Sequence, residues 1–153
     1  MTDLKIILVE DDQKKIDDIK GFLDESFGYS DLTIRQSYQS GLRELLTNQF
    51  NFLLLDMSIP TWDKEPNKSS GDFQKFGGYT ILQELDRKNK MIPVALISMF
   101  DEFGESDRSV TLRQIDSMLN DEYSEYYHGA IYYSSSQSDW KEKLKNMICD
   151  CLL

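Results

Sequence analysis

Two apolar runs of strand length end in carboxylates. Ile6-Ile7-Leu8-Val9 leads straight into Glu10-Asp11-Asp12, and Phe52-Leu53-Leu54-Leu55 leads into Asp56. A carboxylate at the end of a buried strand is costly unless something there uses its charge. Two runs that finish this way call for a fold that gathers strand ends at one place. A shared acidic pocket of that kind suits a metal ion.

The remaining pattern supplies such a fold. Apolar runs at Leu4–Val9 (β1), Leu32–Arg35 (β2), Phe52–Leu55 (β3), Pro93–Ile97 (β4) and Ala130–Tyr133 (β5, entered through Gly129) alternate with segments of helical period. Ile16, Ile19 and Leu23 mark α1, with Asp12 as its N-cap. Leu42, Leu45 and Leu46 mark α2; Tyr79, Leu82 and Leu85 mark α3. Leu112, Ile115 and Leu119 mark α4; Trp140, Leu144, Met147, Ile148 and Cys151 mark α5. Strand–helix alternation predicts an α/β fold, a parallel sheet covered on both faces, and uninterrupted apolar strands agree with burial on both sides. Right-handed crossovers favour the flavodoxin-like order 2-1-3-4-5, a three-layer sandwich. In that order the ends of β1 and β3 meet at the topological switch point, where ligands bind, so Glu10, Asp11 and Asp56 are predicted to lie together. Oxygen-only ligands in an open cleft suit Mg²⁺. Acids ahead of a helix also serve as plain N-caps; the convergence on one place favours the site.

The 153 residues fit a single domain, 1–153. A net charge of −10 argues against direct binding to nucleic acid or to an anionic membrane. Cys149 and Cys151 form no disulfide framework, and no segment reads as a signal peptide or a membrane span, so a cytoplasmic protein is expected. Two connections are long for the plan, 61–76 and 99–128. The first holds Trp62 and Phe73, which either anchor a partner or pin the loop, and Gly77-Gly78 after it reads as a hinge or a helix start. The second ends in the acidic, tyrosine-rich stretch 121–127, read as a solvated extension of α4. His128, the one histidine, reads as a loop residue with no catalytic role.

On these residues the chain resembles the receiver domains of two-component response regulators. The resemblance rests on Ile-Leu-Val-Glu10-Asp11-Asp12, on Leu-Leu-Leu-Asp56-Met-Ser-Ile-Pro60, on Ile92-Pro93-Val94-Ala95-Leu96-Ile97-Ser98, and more weakly on Gly129-Ala130-Ile131-Tyr132-Tyr133. It implies that Asp56 accepts a phosphoryl group. Asp11 would bind Mg²⁺ directly, Glu10 largely through water, and Asp56 and the Ser58 backbone carbonyl would complete the ligands. Ser98 takes the place of the switch hydroxyl and Tyr133 that of the switch aromatic. The implied partners are a histidine kinase or phosphotransfer protein and a downstream protein target, with homodimerisation through α4-β5-α5 as an option. Such a protein is no enzyme beyond its own aspartyl phosphorylation and dephosphorylation. With the chain stopping at Leu153 it would act alone or as a receiver cut from a longer protein.

One departure stands out. The family carries a lysine at the end of β5; counting from Gly129 puts Ser136 there. A serine cannot neutralise charge. Lys64, Lys68 and Lys75 in the long loop are candidate substitutes. The alternative is a pseudo-receiver, an interaction module without phosphate chemistry. A phosphohydrolase of the haloacid dehalogenase type is disfavoured, because it needs a second acid where Ser58 stands.

Overall fold

The computed structural model describes residues 4–29, 31–61, 73–74, 77–103 and 109–152. Five strands, β1 (Ile6–Val9), β2 (Thr33–Arg35), β3 (Phe52–Leu55), β4 (Val94–Ser98) and β5 (Tyr127–Tyr132), form one parallel sheet in the expected order β2-β1-β3-β4-β5. The helices are α1 (Gln13–Phe27), α2 (Tyr38–Thr47), α3 (Gly77–Arg87), α4 (Leu112–Glu122) and α5 (Asp139–Leu152). Strand alternation divides the core into two layers. Ile7, Val9, Leu53, Leu55, Val94 and Leu96 pack with α2, α3 and α4. Ile6, Leu8, Phe52, Leu54, Ala95 and Ile97 pack with α1 and α5. Both faces of the central strands are therefore dry, which is why these strands read as unbroken apolar runs.

Two short antiparallel ribbons lie outside the main sheet. Ile59–Pro60 pairs with Phe73–Gln74, and Glu102–Phe103 with Val110–Thr111. Trp62, Lys64, Lys68 and Lys75 lie outside the described residues, as does the side chain of Phe73.

Three expectations change. β5 begins at Tyr127, not Ala130: Val94 pairs with Tyr127 and Ala95 with Gly129, so His128 is an extra strand residue at a β-bulge and not part of a loop. Gly129 takes φ of 133°, a conformation side chains disfavour, and this accommodates the bulge. Of the stretch 121–127, only Asp121 and Glu122 prolong α4 as an exposed face. The helix stops at Glu122, and Tyr123 and Tyr127 turn inward to the core, the Tyr127 hydroxyl donating to Asp116 of α4. Gly77-Gly78 begins α3. Gly78 donates its amide to the Met57 carbonyl at 2.9 Å, and a Cβ there would lie 2.5 Å from the Asp56 carbonyl oxygen. A glycine is needed because the helix start touches the backbone that carries Asp56.

That contact decides between opposing effects of a substitution. Gly78→Ala gains at most about 1 kcal/mol of helix propensity. The clash is with backbone, which cannot swing aside, and overpacking costs roughly 1–3 kcal/mol. Net destabilisation is expected, read as a lower urea midpoint with unchanged m-value.

Candidate functional site

β1 and β3 run side by side, Val9 opposite Leu55, so the residues that follow them emerge together. Carboxylate oxygens of Glu10, Asp11 and Asp56 all lie within 4.8 Å of one another. Asp11 is part-exposed, whereas Glu10 is fully buried and Asp56 is 2% exposed. One Glu10 oxygen accepts from the amides of Asp11 and Asp12 at 3.0 and 3.1 Å. Asp12 caps α1 as expected, accepting from the Lys15 amide at 2.9 Å.

The sequence reading missed Lys15. Its side chain is fully buried beneath the first turn of α1. Its ammonium contacts the second Glu10 oxygen, donates to the Ile97 carbonyl at 2.6 Å, and lies 3.8 Å from Asp56 Oδ2. The last distance is a charge contact longer than a hydrogen bond. A cation near a helix N-terminus opposes the helix dipole, so the carboxylates have to outweigh both that repulsion and desolvation. A signal was present: Lys15, Ile19 and Phe22 share the helical spacing of one inward stripe.

Asp56 keeps one oxygen, Oδ1, buried without a hydrogen-bond partner among the described residues. Burial pushes its carboxyl well above the usual range; Lys15 opposes this, Glu10 adds to it, and the Ser58 amide lowers it. Burial, then the charge of Glu10, pushes the Asp11 carboxyl up to about 6. Three carboxylates face one ammonium, so full ionisation leaves two negative charges. An orphaned buried oxygen and an oxygen-only donor set with that surplus fit a divalent cation.

The remaining predicted residues sit at the neighbouring strand ends. Ser98 closes β4, buried; its hydroxyl donates to the Phe100 carbonyl and accepts the Phe100 amide, each at 3.0 Å. Tyr133 follows β5, its amide bonded to the Ser98 carbonyl at 2.7 Å. Its ring packs on Trp140 in the α1–α5 layer, and its hydroxyl donates to Asp18 of α1. Tyr133 thus faces away from α4, toward which Tyr127 and Ala130 point. Ser136 is no strand-end residue: it is exposed, beyond the end of β5, bonded to Ser134.

Sheet order and helix placement give the chain the fold of response-regulator receiver domains, with the acids gathered at the switch point of the sheet. It is 32% identical over 144 residues to the uncharacterized protein y4jR of Sinorhizobium fredii, covering 94% of this chain and 95% of the relative. It is 24% identical over 149 residues to the Detocs response regulatory protein DtcB of Enterobacter cloacae, covering 96% and 99%. Among solved structures it resembles the receiver domain of the sensor histidine kinase PA1611 from Pseudomonas aeruginosa, which carries a magnesium ion in its active-site cleft. That match has a TM-score of 0.56 and 15% identity, and covers 97% of each chain. No protein-family model matches the chain.

The Tyr133–Asp18 bond ties the end of β5 to α1. The Tyr133 hydroxyl first, then Lys14, hold the Asp18 carboxyl below its usual range, with Lys141 adding a smaller pull. A lowered folded-state pKa stabilises above the unfolded value of 3.8 and is lost as pH falls through the folded value. Tyr133→Phe is expected to cost about 1 kcal/mol at neutral pH, discounted for the part-exposed acid. The difference between the two proteins in urea melts narrows below pH 3.8.

Proposed function

We propose that the whole chain, residues 1–153, acts as one phosphorelay receiver in which Asp56 takes a phosphoryl group with the help of Mg²⁺. The observation that carries this reading is the buried Asp56 carboxylate with one unpartnered oxygen, set beside Glu10 and Asp11 at the switch point of the sheet. Asp11, Asp56 and the Ser58 carbonyl would hold the cation, with Glu10 acting from behind because both of its oxygens are engaged. When bound, such a cation neutralises charge on the phosphoryl oxygens.

An Asp56 carboxylate oxygen attacks phosphorus in line. The donor's P–N bond breaks, its electron pair stays on the imidazole nitrogen, which takes up a proton, and an acyl phosphate forms. The Ser98 hydroxyl then exchanges its bonds to Phe100 for one to a phosphoryl oxygen. This moves the segment after β4 and shifts the population toward the signalling state. In this scheme Tyr133 carries the β5 end with it through Ser98 and holds it to α1 through Asp18. The donor is a histidine kinase or phosphotransfer protein, and the output is a protein target. Phe100, Met118 on α4 and Tyr132 on β5 are exposed large hydrophobics, which supports docking or self-association at the α4-β5-α5 side. A cytoplasmic location is part of this proposal; among the described residues no helix is long and apolar enough to cross a membrane.

A second reading has an observation of its own. Lys15 already pairs with Glu10, so part of the acidic site is neutralised internally. This favours a pseudo-receiver that binds partners without phosphate. Incubation with acetyl phosphate or phosphoramidate and Mg²⁺ separates the two. A gain of one phosphoryl mass, absent in Asp56→Asn, is the expected result; no modification with any donor would establish the second reading.

A further inference from the structure

We propose that Lys15 of α1 supplies the active-site ammonium that receivers ordinarily draw from the end of β5. The proposal rests on the phosphoacceptor reading of Asp56 and extends it to the cationic half of the site.

The geometry excludes the neighbouring positions. At the end of β5, Tyr133 turns its side chain to Asp18 and Trp140, and Ser136 is exposed farther along the loop. Neither brings positive charge to Asp56. Among the described residues, the cation in contact with Asp56 is Lys15, 3.8 Å from Oδ2 and fully buried. Its other contacts fix its aim: Glu10 on one side, the Ile97 carbonyl on the other. Ile97 directly precedes Ser98, so the ammonium spans from the phosphoacceptor strand to the strand that carries the switch hydroxyl. A long, flexible stem lets the ammonium reach Asp56 from a helix as well as from a strand.

The role is chemical as well as structural. As Asp56 forms its bond to phosphorus, charge develops on the equatorial oxygens, and a fixed ammonium beside the carboxylate stabilises it without reorganisation. Lys15 leaves its distant contact with Oδ2 for a phosphoryl oxygen and keeps its bond to Ile97. No proton is transferred in this step. Before phosphorylation the same charge competes with a divalent cation for the acids.

This competition gives the test a sign that damage to the fold would not produce. Phosphoryl uptake from phosphoramidate and Mg²⁺ binding by calorimetry are measured on the full chain, on Lys15→Met and on Lys15→Gln. The glutamine variant keeps a donor for Ile97 but removes the charge, and serves if the methionine variant does not fold. Uptake is expected to fall roughly a hundredfold, while Mg²⁺ binds more tightly than to the wild type. Unchanged uptake in a folded variant, or uptake and Mg²⁺ affinity falling together, overturns the assignment of Lys15. No uptake by the wild type itself removes the phosphoacceptor reading on which the assignment stands.

Discussion

The acidic end of the sheet is held by one buried ammonium. Glu10 and Asp56 are brought together by β1 and β3 with almost no access to solvent. Like charges so placed cannot both remain ionised without a counter-charge, and desolvation costs several kcal/mol per ion. Lys15 meets this constraint from the nearest helix, and other features follow. Asp12 has to cap α1 where it does, because the cap fixes the first turn from which Lys15 descends. β4 has to end at Ser98 beside that turn, because Ile97 provides the carbonyl for the ammonium. The neutralisation is incomplete, since Asp11 and Asp56 Oδ1 are left over, and that remainder is what a divalent cation fits.

The fold was legible because its strongest signals are local. Unbroken runs at Ile6–Val9, Phe52–Leu55 and Val94–Ile97 announce strands covered on both sides, and the spacing of Ile16, Ile19 and Leu23 announces α1. The acids were legible for the same reason: each directly follows a strand whose neighbour is set by topology. β5 was misjudged at its start because a bulge breaks the alternation at His128 and Gly129. The tyrosines of 121–127 looked solvated beside their acidic neighbours, yet Tyr123 and Tyr127 bury their rings while the Tyr127 hydroxyl finds Asp116.

Lys15 escaped for a different reason. Lysine is rarely buried, and in Gln13-Lys14-Lys15 it reads as part of a charged helix surface. Only tertiary contacts separate it from Lys14, which reaches Asp18 on the outer face of α1. Counting along the chain from Gly129 put Ser136 where the family has its lysine and left Lys64, Lys68 and Lys75 as substitutes, whereas the ammonium beside Asp56 belongs to Lys15, 121 residues before Ser136 (136 against 15). A charge beside Asp56 can thus come from a part of the chain that counting along β5 does not reach.

The ribbon of Ile59–Pro60 with Phe73–Gln74 works as a clasp. Pro60 sits opposite Phe73, so the chain departs from the neighbourhood of Asp56 and returns to it at one fixed gate. A little farther on, Gly78 is anchored to Met57. The main chain that carries Asp56 is therefore held twice, by the pairing of β3 with β1 on one side and by this ribbon with Gly78 on the other. A carboxylate carried between two such tethers is aimed by the main chain on both sides.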